Sequence, residues 1–407
     1  MKAKFYVPGD SAALSVGADG VAQAIAGEAA RRGLDVSIVR NGSRGLFWLE
    51  PLVEIETSTG RLAYGPIEPE DVASLFDAHF LSGRAHPKAL GRIEDHPYLK
   101  NQQRLLFARC GVTDPLSIED YRSHGGLKGL ERALAIGLQA IGEDVLASGL
   151  RGRGGAGFPA GIKWRTVAAT AADQKYVICN ADEGDSGTFA DRMIMEGDPF
   201  TLIEGMAIAA VAVGATKGFV YIRSEYPHAF AKFNEALAAA RKAGLLGRSV
   251  LGSPHAFDIE TRLGAGAYIC GEETSLLESL EGKRGEVRAK PPVPAISGLF
   301  GKPTAMNNVL TFASAPWILT HGGKAYADYG MGRSRGTQPF QLAGNIKQGG
   351  LVELAFGATI RTLVEDFGGG TRSGRPIRAV QVGGPLGAYF PVSLLETPLD
   401  YEAMLEA

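Results

Sequence analysis

The sequence predicts an α/β protein of several domains, built around a parallel sheet. Three observations predict it. The chain has 407 residues, more than one ordinary domain holds, and the size prior is two to four. Apolar residues make up 45%, ample for packed cores. Between about residues 150 and 320, glycine loops, strands and helices alternate in a βαβ rhythm, which implies a parallel sheet.

Residues 4–7 read as a short strand. Residues 19–32 carry Ala, Val and Ile at helical spacing, and Gly33 stands where a helix C-cap is wanted. Residues 34–39 alternate as a strand should. Asn41-Gly42 signals a turn, and 47–55 can pair with 61–64 across Ser58-Thr59-Gly60. Residues 70–76 are helical. The order β-α-β-β-β-α is that of a thioredoxin-like domain over residues 1–110. No cysteine precedes Cys110, so this segment is neither a redox nor a cluster domain. It is either a docking domain or a small structural appendage.

His86-Pro87, His96-Pro97 and Asp114-Pro115 break helices in the next stretch. Residues 119–147 look mostly helical, so 111–148 reads as a helical connector. The central domain, 149–335, has expected strands at 175–179, 218–223 and 257–262. Its expected helices are 200–213, 228–243 and 272–281. In the last domain, 336–407, strands at 340–343 and 351–353 flank a turn at Lys347-Gln348-Gly349-Gly350. A short helix at 362–367 and a strand at 379–382 come after it. A hairpin, a helix and further strands suggest a small β-grasp domain.

Composition excludes several classes. A net charge of -2 gives no electrostatic drive toward nucleic acid or an anionic membrane. No window approaches the ~18 apolar residues of a membrane span. Met1-Lys2-Ala3-Lys4-Phe5-Tyr6-Val7 lacks the features of a signal peptide. The expectation is a cytoplasmic protein, not embedded in a membrane. Cys110, Cys179 and Cys270 include no Cys-x-x-Cys pair, which argues against a disulfide framework or a cluster site. The histidines (His79, His86, His96, His124, His228, His255 and His321) form no metal-binding pattern. There is no Gly-x-Ser-x-Gly elbow and no Walker A lysine loop.

Four segments carry chemistry. The first runs from Gly149 through Gly152, Gly154 and Phe158 to Lys163 and Trp164. It matches Gly-x-Gly-x-x-Gly, but after a helical stretch rather than a strand, and Pro159 and Gly161 interrupt the residues after it. The standard dinucleotide fingerprint is therefore rejected. So many glycines still let backbone approach a flat or phosphorylated ligand. Arg151, Arg153 and Lys163 offer cations, and Phe158 and Trp164 offer stacking faces; a tight turn with a solvated basic rim is the alternative. The second segment, Asn180-Ala181-Asp182-Glu183-Gly184-Asp185-Ser186-Gly187, puts three carboxylates at the carboxyl end of a strand, where α/β sheets bind ligands. They suit ribose or ribityl hydroxyls, a divalent cation, or a merely solvated turn. The third, Gly264 to Ser275, holds Tyr268, Gly271, Glu272 and Glu273. It opens a helix where the two carboxylates would repel phosphate but accept hydroxyls; they also suit an ordinary helix start. The fourth comes after Lys290-Pro291-Pro292-Val293-Pro294 and holds Asn307 and Asn308. These amides can donate and accept, or serve simply as helix caps.

In text and order the four segments resemble the FMN- and NADH-binding subunit of respiratory complex I, a module also found in NAD-reducing hydrogenases and NAD-dependent formate dehydrogenases. Gly-Leu-Arg-Gly-Arg-Gly-Gly-Ala-Gly-Phe-Pro, Cys-Asn-Ala-Asp-Glu, Gly-Ala-Tyr-Ile-Cys-Gly-Glu-Glu-Thr and Lys-Pro-Thr-x-x-Asn-Asn-Val carry the resemblance, which spans about Gly149 to the end. It implies a Rossmann-like FMN/NAD-binding domain over 149–335 and a ubiquitin-like β-grasp (SLBB-like) domain over 336–407. It implies that Gly152, Gly154, Lys163, Asn180, Asp182, Tyr268, Gly271, Glu272, Asn307, Asn308 and Thr311 hold FMN. It puts Phe158, Glu183, Asp185, Glu273 and Lys290 on the NAD side. The implied reaction is hydride transfer between nicotinamide C4 and flavin N5, with the rings stacked roughly 3–3.5 Å apart. No residue need act as a strong base.

The segment Asn180 to Gly187 and the cysteine-free domain in front resemble the β (diaphorase) subunit of molybdenum- or tungsten-containing formate dehydrogenases. That implies two partners: a thioredoxin-like [2Fe–2S] small subunit, and a large iron–sulfur subunit carrying molybdopterin or tungstopterin. The alternative is a flavoprotein subunit of a complex I-like or hydrogenase complex. Two departures stand out. Val293 occupies a position where the respiratory form has an aromatic against adenine. Family members also continue into a helical domain whose cysteines bind a [4Fe–4S] cluster; those ligands are absent from the 407 residues, so no metal site is expected in this chain.

Overall fold

The computed structural model describes residues 3–78, 80–82 and 86–407. Met1 and Lys2, at the start of the N-terminal segment, and His79 lie outside the described residues.

The first unit is a five-stranded sheet in the order β2-β1-β3-β4-β5. β1 (Ala3–Tyr6) and β2 (Val36–Val39) run parallel. β3 (Val53–Thr57), β4 (Gly60–Tyr64) and β5 (Ala89–Arg92) continue antiparallel. Between β1 and β2 lie α1 (Ser11–Ser15) and α2 (Ala18–Arg31), and α3 (Val72–Asp77) comes after β4. Helix α2 buries Ala18, Val21, Ala22, Ile25 and Ala29, one apolar stripe at helical spacing. It ends with Gly33 at φ 67, the left-handed cap that glycine supplies without strain. Residues 47–49 do not extend the strand as expected. They form a 3-10 turn, because Pro51 has no N–H for a ladder and Leu46, Leu49 and Leu52 turn to pack against Val352 and Leu363. β5 was not foreseen.

Helices α4 (Pro97–Lys100) and α5 (Ile118–Ser123) precede α6 (Lys128–Ala147), which kinks at Gly137. Rather than standing apart as a connector, α6 packs on α9 (Pro199–Val213) and α12 (Val309–His321) in the central core. Every residue of α9 is buried, as fits a helix apolar all round. α9 and α12 cross so closely that a Cβ on Gly205 would lie 2.0 Å from the Phe312 carbonyl oxygen.

The central sheet is wholly parallel, in the order β8-β7-β6-β9. Its strands are β6 (Tyr176–Ala181), β7 (Lys217–Ile222), β8 (Asp258–Leu263) and β9 (Thr304–Asn308). Alternate side chains divide the faces. Val177, Cys179, Val220 and Ala305 join the core of α6, α9 and α12. Ile178, Phe219, Tyr221 and Met306 pack with Leu276 and Leu277 of α11 (Glu273–Leu280). α7 (Ala160–Ala169), α8 (Ala190–Gly197) and α10 (Pro227–Lys242) complete the layers. Strand β9 and helix α8 escaped the sequence reading. Gly161, expected as an interruption, sits inside α7, against the backbone of Leu146.

After α13 (Gly323–Ala327), β10 (Gly330–Met331) and β11 (Ser334–Arg335) form a small hairpin. β12 (Thr337–Leu342) pairs with β13 (Gly350–Ala355), and β14 (Ala379–Val382) with β15 (Ala388–Pro391). Among the described residues these last two hairpins form separate sheets rather than the single sheet a β-grasp would have. A helical turn at Thr362–Phe367 lies between them, and α14 (Tyr401–Glu406) ends the chain. Among the described residues no helix is long and apolar enough to cross a membrane.

Candidate functional site

The chain adds β7 and β8 to one side of β6, then returns to lay β9 on the other. The order therefore reverses between β6 and β9, and the crevice at the carboxyl ends of such a pair is where open α/β sheets bind ligands. Asn180 and Asn308 are register partners at that edge. The loops after β6 and β8, the start of α12 and the glycine loop before α7 converge there. With residues from 338 to 404 they line one cleft of about 1740 Å³, larger than the ~300–1,000 Å³ of a single-ligand pocket.

The glycine loop is fixed across the start of α12. The Arg153 amide donates to Thr311 Oγ1 at 2.9 Å. A Cβ on Gly154 would press the Asn308 Cβ at 3.2 Å. Gly152 lies below, its amide donating to the Phe158 carbonyl and its carbonyl accepting from the Tyr401 hydroxyl. Asn308 caps α12 through Leu310 and donates to Asp191 Oδ2 at 2.6 Å. Asn307 instead accepts from the Trp164 indole at 2.8 Å, and Trp164 is buried, so that ring is core and offers no stacking face. Phe158 remains 51% exposed.

The three carboxylates of the acidic loop separate. Asp182 lines the cleft, and its Oδ2 is buried without a partner. Burial pushes its carboxyl up to about 6, against the pull of Arg223. Glu183 turns inward and accepts from the Asp191 and Arg192 amides and the Tyr226 hydroxyl. Burial raises it too, and burial together with the Glu183 charge raises Asp191. Asp185 accepts from the Tyr268 hydroxyl at 2.6 Å on the exposed side. Among the described residues no three His, Cys, Asp or Glu groups are gathered to hold a metal ion.

The Gly271 carbonyl accepts from the Asn180 amide at 2.8 Å. Glu272 caps α11 through the Thr274 and Ser275 amides. Burial works against its ionisation, but these bonds and the Lys290 ammonium hold it down to about 2. Lys290 bridges Glu272 at 3.1 Å and Glu273 at 2.9 Å. Lys163 reaches Glu273 at 3.4 Å and the Met306 carbonyl at 2.9 Å. Lys163 and Arg151 are therefore not free cations; Arg151 is bound to Glu402 and the Gly157 carbonyl.

Residues 145–317 match the family model described as the Nuo51 FMN-binding domain. The chain is 45% identical over 304 residues to an F-type subunit of NADH-quinone oxidoreductase from Rhizobium meliloti, covering 74% of this chain and 72% of that one. It belongs to the Nuo51 flavoprotein family. Another Nuo51 relative is the NADP-reducing hydrogenase subunit HndC of Solidesulfovibrio fructosivorans, 48% identical over 305 residues; the match spans 75% of this chain but 62% of the HndC length. The crystal structure of an air-oxidized NAD+-reducing [NiFe]-hydrogenase superposes with a TM-score of 0.62 at 27% identity, over 98% of this chain and 67% of that one.

The Nuo51 cleft fits a flavin nucleotide. Asp182 offers an unpaired oxygen to a hydroxyl, and glycines at 154 and 271 keep backbone open beside it. Of the anticipated residues, Gly154, Asn180, Asp182, Glu183, Asp185, Tyr268, Gly271, Glu272 and Asn308 line the cleft. Gly152, Phe158, Lys163, Glu273, Lys290, Asn307 and Thr311 do not line it. Sequence reading missed Asp191, Tyr226 and Gln341, whose side-chain oxygen accepts from the Ala190 amide at 3.2 Å. Nothing local marks them, since each acts through a partner distant in sequence.

Proposed function

We propose that this chain exchanges a hydride between NAD(H) and FMN and passes electrons singly to iron–sulfur partner subunits, as the diaphorase of a larger complex. The observation that carries this reading is the reversal crevice, with Asn180 and Asn308 in register and the unpaired Asp182 oxygen close to Gly271. Bound FMN would supply both hydride and single-electron chemistry.

The chain's own part is positioning. In this reading Asn180, Asp182, Asn308 and the Gly154 backbone hold the sugar-like chain and phosphate. Gly152, Asn307 and Thr311 brace that shelf, Gly271 and Glu272 border it, and Lys163 anchors α7 beneath it. Tyr268 and Phe158 offer exposed faces. Glu183, Asp185, Glu273 and Lys290 border the nicotinamide side.

For the host complex we favour an NAD-dependent formate dehydrogenase, with a [2Fe–2S] subunit and a molybdopterin- or tungstopterin-bearing partner. The sequence Asn-Ala-Asp-Glu-Gly-Asp-Ser-Gly at 180–187 supports it. The fused N-terminal unit does not discriminate, since the hydrogenase chain aligns with 98% of this one. The second reading, a complex I-like or hydrogenase diaphorase, is favoured by the relatives named above; subunits that co-purify separate the two. Anaerobic NADH titration of the purified chain should bleach flavin absorbance stoichiometrically. Protein that stays colourless after added FMN would overturn the proposal.

A further inference from the structure

The electrostatics of the cleft are lopsided. Its sheet side carries Asp182, Glu183, Asp185, Asp191 and Glu272. Its only cationic side chains among the described residues are Arg153, Arg375 and Arg378. Arg153 is occupied: Nη1 donates to the Arg151 carbonyl, and Nη2 to the Tyr326 hydroxyl and the Arg335 carbonyl. Lys163 and Lys290 are tied to Glu272 and Glu273. Arg375 and Arg378 differ, because neither guanidinium has an acidic partner among the described residues.

Both arginines lie on the segment leading from Gly370 into β14, which lines the same cleft and whose side carries a single acid, Asp400. Around them the same wall presents Thr371, Ser373 and Asn345, short hydroxyl and amide groups. The segment is held in place: the Arg372 amide donates to the Asn345 carbonyl at 3.2 Å, and the Thr371 hydroxyl donates to the Arg375 carbonyl at 2.5 Å. Further along, Gly384 comes up against Asp185, where an added Cβ would stand 4.0 Å from the Asp185 Cβ. The two walls thus enclose one space.

An anionic ligand entering this space meets repulsion from the sheet side. A net attraction requires cations, and arginine's planar fork suits phosphate oxygens. We infer that Arg375 and Arg378 form the phosphate-binding wall for the nicotinamide dinucleotide, making the C-terminal segment part of the substrate site. This rests on the reading that the cleft takes such a dinucleotide. The phosphate in question is either the pyrophosphate common to NADH and NADPH or the 2′-phosphate of NADPH alone.

The test uses the full chain loaded with FMN, comparing wild type with the double variant Arg375→Gln/Arg378→Gln and with Arg372→Gln, an exposed control outside the cleft lining. Flavin reduction is followed against NADH and NADPH concentration at low and high salt. The inference expects half-saturation to rise about tenfold in the double variant, a weaker salt dependence than wild type, and an unchanged flavin-to-protein ratio. A rise with both dinucleotides assigns the pyrophosphate; a rise with NADPH alone assigns the 2′-phosphate. Unchanged half-saturation for both, or loss of FMN from the double variant, overturns the inference. Wild-type protein that no dinucleotide reduces would instead defeat the functional reading beneath it.

Discussion

In the proposed reading, FMN recognition turns on Asp182. Its carboxyl has one oxygen buried without a partner, and burial raises it to about 6. A carboxylate accepts hydroxyl hydrogen bonds best when ionised. Its ionised fraction falls as pH drops through about 6, so FMN affinity should weaken on acidification below that value. Asp182→Asn should bind FMN more weakly at neutral pH and lose this dependence; fluorescence titrations from mildly acidic to mildly basic pH would check both. Wild-type affinity flat across that window would remove Asp182 from the shelf. Asn308 was legible from sequence as a helix cap, and it is one. Its other bond, to Asp191, spans 117 residues, and no local pattern reveals a pair so far apart. The same holds for Glu183, whose inward turn depends on amides of α8 and on Tyr226.

At the scale of elements, β6 and β7 were readable because each carries an apolar run of strand-forming residues, and β8 because Phe257 and Ile259 alternate with Asp258 and Glu260. β9 was not. Thr-Ala-Met-Asn-Asn has little strand character of its own, and its pairing with β6 decides it. Helix α8 was hidden for a related reason: Asp191 and Glu196 are charged yet buried, so no apolar stripe marks its inner face. Glu196 spends its carboxylate on the Ser11 amide and hydroxyl of the first unit, both at 2.6 Å. The crossing of α9 and α12 is equally specific. Gly205→Ala puts a methyl 2.0 Å from the Phe312 carbonyl oxygen, so the helices must separate. Overpacking of this kind costs about 1–3 kcal/mol and sometimes more. Denaturant unfolding should show a lower midpoint, and an unchanged midpoint would mean that the crossing is looser than described.

Across the whole molecule, the C-terminal segment is bound to the rest through Glu353. Buried in β13, its carboxylate accepts from the Leu105, Leu106 and Phe107 amides and from the Thr337 hydroxyl. Glu353→Ala would orphan these backbone donors at about 1–3 kcal/mol each. Limited proteolysis should then cut between residues 336 and 407 before the central sheet, whereas uniform resistance would show the tie to be dispensable. The cleft itself is assembled from both ends of this arrangement. The last of its proposed flavin-shelf residues, Thr311, is synthesised well before Met404, where the lining of the cleft ends. At about 5–20 residues per second, several seconds of synthesis separate the two. A nascent chain therefore holds the whole shelf sequence before its bracing exists, because Gly152 and Arg153 gain their Tyr401, Tyr326 and Arg335 partners only as the C-terminal segment arrives.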